Sequence, residues 1–188
     1  MPPKPALISQ RRIQSAVKRL ARQIDRACAA SAIGELTVVC VMDGAFMFTA
    51  DLVRALRTPT RIIFLKARSY QGTRKGATQV AVLPAELAGR ALLLVDTIYD
   101  TGRTIERVVR QASRLAKSVW LAVLLEKHGQ AAVPSDQQAD RAFTGIKLAG
   151  DPFLVGYGLD VDGQFRGLPD VWIYNAASRR AGRRARKR

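Results

Sequence analysis

The chain has 188 residues, 48% of them apolar, which is enough to bury a sizeable core; 31 basic residues against 15 acidic ones give a formal net charge of +16. It has no apolar run long enough to span a bilayer, and the start Met1-Pro2-Pro3-Lys4-Pro5 lacks the basic-then-apolar pattern of a secretory signal. Two cysteines without Cys-x-x-Cys spacing and a single histidine, His128, argue against a disulfide framework or a zinc site.

These features predict a cytoplasmic protein with no membrane association, with Cys28 and Cys40 as core thiols. Part of the charge is local. From Ser178 onward there are seven basic residues and no acid, and like charges without apolar partners cannot repay the entropy of ordering. The sequence therefore predicts one domain over 1–177 and a disordered basic tail over 178–188. The tail serves either solubility or non-specific binding to a polyanion.

In chain order, Ile13, Val17, Leu20, Ala21, Ile24 and Cys28 recur at helical spacing, with arginines and Lys18 on the other faces, so an amphipathic helix is expected from about Ser9 to Ala30. Leu36 to Val41 reads as a strand, Met42-Asp43-Gly44-Ala45 as a tight turn, and Phe46 to Arg57 as a helix stopped by Thr58-Pro59. Arg61 to Ala67 is the next strand. The polar, glycine-bearing stretch from Ser69 to Ala77 reads as a mobile loop before Gln79 to Leu83 resumes strand character. Ser118 to Leu125 is a buried strand ending at Glu126-Lys127-His128, and Val171 to Ile173 a short late one. Strands alternating with helices predict an α/β fold: an open twisted, mainly parallel sheet with helices on both faces and ligands at the carboxyl ends of its strands.

Between these elements lies the most informative stretch. Ala91 to Val95 is a continuous apolar run, as expected of a strand buried on both faces. Asp96-Thr97-Ile98-Tyr99-Asp100-Thr101-Gly102-Arg103-Thr104 follows, and then the helical period Ile105, Val108, Val109, Ala112, Leu115. The turn thus opens a helix, where free backbone N–H groups and the positive dipole end can hold a phosphate. Thr101 and Thr104 add hydroxyl donors, and Gly102 permits close backbone approach. Two carboxylates beside an anion site, Asp96 and Asp100, make chemical sense when a metal, sugar hydroxyls or a titrating ring nitrogen lies between them. Asp100 as a simple helix cap is the plainer account, but a cap needs one polar side chain and this turn offers five. Neither a P-loop nor a dinucleotide-binding glycine fingerprint occurs.

That stretch resembles the phosphoribosyl-diphosphate signature of type I phosphoribosyltransferases. The order of further motifs narrows the resemblance to the hypoxanthine-guanine phosphoribosyltransferases, over roughly Ser9 to Tyr174. Met42 to Leu52 is similar to the family's first loop and helix, whose backbone binds pyrophosphate. Ser69-Tyr70 resembles the start of its closing lid, Leu124-Leu125-Glu126-Lys127 its purine-facing strand end, and Phe153 to Asp160 with Phe165-Arg166 the segment that stacks the purine and holds a metal.

The resemblance implies a type I phosphoribosyltransferase fold with a small hood region, and a magnesium-dependent enzyme of purine salvage, assembled as a homodimer or homotetramer. Its substrates would be a purine base and phosphoribosyl diphosphate. It further implies that Asp100 handles the proton at purine N7, and that Thr101, Gly102, Arg103 and Thr104 hold the 5-phosphate. Asp43, Gly44 and Arg166 would meet the diphosphate, Asp96 and Thr97 the ribose, and Asp160 with Asp96 the magnesium. Lys127 would donate to the 6-oxo group, beside Phe153 and Leu154 against the base.

Three departures stand out. Thr97 occupies the place of the signature's usual second acid, which predicts weaker binding of phosphoribosyl diphosphate. Asp43 stands where a basic residue is common, and 129–147 matches poorly. The alternative is a regulator of the same fold that senses phosphoribosyl diphosphate and binds nucleic acid through its basic surface, a reading the net charge favours. The purine-directed residues Asp100, Lys127, Phe153 and Asp160 favour the enzyme, since a regulator needs the phosphate cradle alone.

Overall fold

The computed structural model describes residues 6–68, 79–80, 82–127 and 139–174. The tail expected at 178–188, the proposed lid residues Ser69 and Tyr70, and His128 lie outside the described residues.

Helix α1, Gln10–Ala30, starts where Ser9 caps it, its hydroxyl accepting the Arg12 N–H at 3.4 Å. The six apolar positions at helical spacing are all buried along it. Strand β1, Leu36–Met42, leads through the turn at 43–45 into α2, Phe46–Ala55, which ends two residues before the expected Arg57. The reason is local: Leu56 is already extended, and the Asp25 carboxylate of α1 takes the N–H groups of Arg57 and Thr58. Then come β2, Thr60–Arg68, and β3, Gln79–Val80, shorter than the Gln79 to Leu83 expected because a 3₁₀ turn at Ala85–Leu87 follows closely.

Strand β4, Ala91–Tyr99, runs four residues past its apolar stretch, so Asp96 and Thr97 are strand residues and the turn proper begins at Asp100. Helix α3, Arg103–Ser113, follows, then β5, Ser118–Lys127, and β6, Arg141–Leu148. The last of these was not expected: Arg141, Thr144, Gly145 and Lys147 interrupt its apolar character, as suits an edge strand with one solvated side.

The six strands form one sheet in the order β3-β2-β1-β4-β5-β6; all but the antiparallel β3 run parallel. Alternate residues of the central strands point to opposite faces, which splits the core in two. Leu36, Val38, Leu93, Val95, Trp120 and Leu124 pack with α1 and α2, whereas Val39, Leu92, Leu94, Leu121 and Val123 pack with α3. The order in which strands are added to the sheet reverses between β1 and β4, since β1 continues through α2 outward to β2 while β4 continues through α3 outward to β5. The loops that leave these neighbouring strands diverge to opposite faces and leave a crevice between them.

A small antiparallel sheet caps that crevice. Its strands are β7, Leu154–Val155, and β8, Trp172–Ile173. It is anchored on the main body by the Tyr157 hydroxyl, which donates to Asp51 of α2 at 2.7 Å, and by the pairing of Ile8 with Val171. This is the hood.

Candidate active site

The crevice is a cleft of about 430 Å³ whose walls come from four places in the chain: the end of β1 with its loop, the end of β4 with its turn, the end of β5, and the hood. Asp43 and Gly44 come from the first; Asp96, Asp100, Thr101, Gly102, Arg103 and Thr104 from the second; Lys127 from the third; Phe153, Leu154, Asp160 and Arg166 from the last. Every described site residue named from sequence lines this cleft except Thr97.

The phosphate turn is built on Gly102, which sits at φ +75° as the residue before α3 and makes no side-chain cap. A Cβ there would meet the Tyr99 hydroxyl at 2.4 Å and a Glu106 carboxylate oxygen at 2.7 Å, so glycine is required by both backbone and space. Asp100 is therefore not the cap of α3. The first N–H groups of the helix stay directed at the cleft rim, where an anion meets the positive end of the dipole.

Asp100 instead meets Lys127. Its carboxylate lies 3.2 Å from the Lys127 ammonium, which also contacts Asp151 at 2.5 Å. Lys127 is 7% exposed. Burial works to lower its pKa, but the hydrogen bonds and charges of Asp151 and Asp100 outweigh it and hold the pKa above the ordinary lysine value. The ammonium thus stays charged while its position is fixed from two sides. Asp151 was not found from sequence: it lies 24 residues from Lys127, and an acid beside a proline reads as turn chemistry.

Asp96 is half-buried and lines the cleft. One oxygen accepts the Thr97 N–H at 2.7 Å. Burial pushes its pKa up to about 7 against the pull of hydrogen bonds from the Thr97 and Ile98 backbone. Asp160 is held differently: one oxygen pairs with Arg166 at 2.8 Å and the other accepts the Gly163 N–H at 2.7 Å, while Arg166 also donates to the Gly158 carbonyl at 2.6 Å.

No cluster of three or more metal-ligating side chains occurs among the described residues. Two separate carboxylates on one cleft suit a hard divalent cation that takes its remaining oxygens from substrate and water, and do not suit an all-protein cage. Phe153 is 55% exposed at the cleft, with its ring 5.7 Å from that of Tyr174. Its free face is available for stacking.

Thr97 is the exception. It is fully buried, and its hydroxyl donates to the Gly44 carbonyl at 2.9 Å. Thr97, expected from the sequence to meet the ribose, does not line the cleft: Asp96 lines it, and Thr97 turns into the contact between β4 and the loop after β1.

Known proteins carry the same architecture. The phosphoribosyl transferase domain model matches residues 6–161. The chain is 34% identical to the hypoxanthine-guanine phosphoribosyltransferase of Aquifex aeolicus, over 89% of this chain and 92% of that protein. To the enzyme of the same name from Mycobacterium avium it is 32% identical, over 88% and 82%. Among solved structures, hypoxanthine phosphoribosyl transferase of Trypanosoma cruzi superposes with a TM-score of 0.80 at 28% identity, covering 98% of this chain and 97% of the other. The hypoxanthine-guanine phosphoribosyltransferase of Bacillus anthracis gives 0.77 at 30% identity, covering 92% and 98%. With the family model spanning most of the chain and the relatives aligned nearly end to end, the chain belongs to the phosphoribosyltransferase family, on its hypoxanthine-guanine branch.

Proposed function

We propose that the chain is a purine-salvage enzyme that transfers the phosphoribosyl group of phosphoribosyl diphosphate to hypoxanthine or guanine and releases pyrophosphate. The observation that carries this reading is the meeting of Asp100 and Lys127 at 3.2 Å on the same cleft as the phosphate turn. A protein that only sensed phosphoribosyl diphosphate would need the turn but no cation–carboxylate pair beside it.

In the reaction the purine N9 forms a bond to the anomeric carbon as the bond from that carbon to the diphosphate oxygen breaks. Asp100 accepts the proton leaving N7, a role worth about two to four powers of ten in rate. Lys127 donates to the 6-oxo oxygen. An amino group there would face three N–H donors with one more donor, so adenine is rejected by an unpaired ammonium rather than by size. Phe153 and Leu154 cover the base.

The N-terminus of α3 with Thr101, Gly102, Arg103 and Thr104 holds the 5-phosphate; Asp43, Gly44 and Arg166 meet the diphosphate. Asp96 accepts from the ribose hydroxyls and, with Asp160, would hold a magnesium ion, which when bound would neutralise charge on the departing diphosphate. Electrostatic stabilisation at the leaving group and proton handling at the base are thus separated along one cleft.

Assembly into a homodimer or homotetramer belongs to the same proposal. Ile62 and Phe64 on β2, 41% and 66% exposed, offer an apolar patch that a second copy would cover.

The test is direct: incubate the protein with phosphoribosyl diphosphate, magnesium and each nucleobase in turn, and analyse for nucleoside monophosphate. Product from hypoxanthine or guanine and none from adenine is expected. Binding of phosphoribosyl diphosphate without transfer to any 6-oxopurine would overturn the enzyme in favour of the sensor.

A further inference from the structure

Gly44 is held from two directions by parts of the chain far apart in sequence. Its carbonyl accepts the Thr97 hydroxyl at 2.9 Å from β4. The hood touches the same oxygen: Gly158, at φ +95°, lies so close that a Cβ on it would stand 2.1 Å from the Gly44 oxygen and 3.7 Å from the Thr97 hydroxyl. Gly158 in turn receives Arg166 on its own carbonyl at 2.6 Å. Three walls of the cleft therefore converge on one peptide group, and Thr97 is the side chain that bonds to it.

We propose that Thr97 is a positioning residue that fixes the Gly44 peptide, and through it the loop at 43–45, in the orientation that receives the diphosphate. The proposal rests on the reading of this cleft as the phosphoribosyl-diphosphate site. Chemistry at position 97 decides the outcome. The Gly44 oxygen is an acceptor and can be held only by a donor, which the threonine hydroxyl supplies and an ionised carboxylate does not. An acid at this position would put acceptor against acceptor in a site with no exposure. The threonine therefore stands in the place of the usual second acid because this loop is held by a donated hydrogen bond, and the loss of a ribose-facing charge is not its main consequence.

The experiment compares Thr97→Val, which keeps shape and loses the hydroxyl, with Thr97→Ser, which keeps the hydroxyl, and with Thr97→Asp. Binding of phosphoribosyl diphosphate and of pyrophosphate, each with magnesium, is titrated calorimetrically, so the result does not depend on turnover. KM for hypoxanthine and the melting temperature are measured alongside. Thr97→Val is expected to weaken both phosphate ligands by about three- to tenfold, the range of one neutral hydrogen bond, with the KM for hypoxanthine unchanged. Thr97→Ser should bind as the parent does, and Thr97→Asp should bind more weakly than Thr97→Val.

Parental affinity in Thr97→Val, or equal loss in Thr97→Ser and Thr97→Val, would overturn the proposal, since the hydroxyl would then be idle or only its methyl would matter. Tighter binding in Thr97→Asp would overturn it too and return position 97 to the ribose. A fall in melting temperature without a fall in affinity would make the bond structural and likewise refute the positioning role. If the parent itself binds neither ligand, it is the reading of the cleft that fails, a result distinct from all of these.

Discussion

The cleft and the outer face of α1 are both rich in cations, yet they use charge in opposite ways. In the cleft each cation seen in an ion pair has a fixed acid: Lys127 lies between Asp100 and Asp151, and Arg166 lies on Asp160. Along α1, Arg11, Arg12, Lys18, Arg22 and Arg26 make no ion pair among the described residues, and the nearby Asp25 is occupied by the backbone of Arg57 and Thr58. A paired, partly desolvated charge acts through geometry and depends on the identity of its neighbour. An unpaired, solvated charge is screened by salt and interchangeable with the next. The net charge of the chain therefore says little about its chemistry, while the few cations in pairs say most of it.

The largest effect that tests this contrast lies at Asp100. Asp100→Asn keeps size, loses basicity and leaves Lys127 still held by Asp151, so turnover should fall by about a hundredfold or more while the melting temperature stays close to that of the parent. Single-turnover rates at saturating substrates measure it. An Asn variant as fast as the parent would remove Asp100 from proton transfer.

Next comes Lys127→Gln. It removes the charge that both Asp100 and Asp151 face, leaving two carboxylates without their shared cation, and deletes the ammonium donor to the 6-oxo group. A charge-assisted hydrogen bond is worth about 1.5–3 kcal/mol, so kcat/KM for hypoxanthine should fall by about ten- to a hundredfold, with the discrimination against adenine narrowed. Unchanged discrimination would move the recognition of position 6 to another residue.

These two residues also show how far the sequence could be read. Alternating apolar runs and helical periods revealed the parallel sheet and both helical layers. Only the run from Asp96 to Thr104 carried a signal of its own, an apolar strand opening into a polar turn before a helical period; Lys127, Phe153, Asp160 and Arg166 were named through the resemblance of ordered motifs, because singly each reads as an ordinary strand-end, core or turn residue. What was not legible came from contacts across the chain. The side to which Thr97 turns is set by the loop after β1, 53 residues away, and Asp151 reaches Lys127 across 24 residues. Strand β6 was missed because its charged residues break the apolar run that marks the buried strands.

On the other side of the comparison, neutralising Lys18, Arg22 and Arg26 together to Gln should leave kcat/KM within about twofold of the parent. If the outer face binds polyanions, a single-stranded oligonucleotide should release with rising salt, and loss of three phosphate contacts should reduce the slope of log affinity against log salt by about 2. Truncation after Ala177, assayed in parallel, separates the basic tail from α1. A fall in catalysis beyond twofold would show that α1's charges are coupled to the cleft and that the contrast drawn above is too sharp.

The smallest effect concerns Asp96, a cleft carboxylate for which no cation partner is found among the described residues. Its pKa is about 7 in the folded protein, against an ordinary value of 3.8. Between about pH 4 and pH 7 the folded chain therefore holds a proton that the unfolded chain has lost, so this group's contribution to stability falls as pH rises through that window and is level above it. Asp96→Asn carries no titrating proton and should escape the loss. Melting temperatures of parent and variant at pH 5 and pH 8, free of divalent cation and phosphoribosyl diphosphate, should show the parent losing more by a few degrees, since about 1 kcal/mol moves a chain of this size by about 2–4 °C. Supplying magnesium with phosphoribosyl diphosphate at pH 8 should then stabilise the parent more than Asp96→Asn, because only the parent presents a carboxylate for them to meet. Equal losses in both proteins would mean that the Asp96 carboxyl is as solvated as the charges on α1, and that burial does not set it apart.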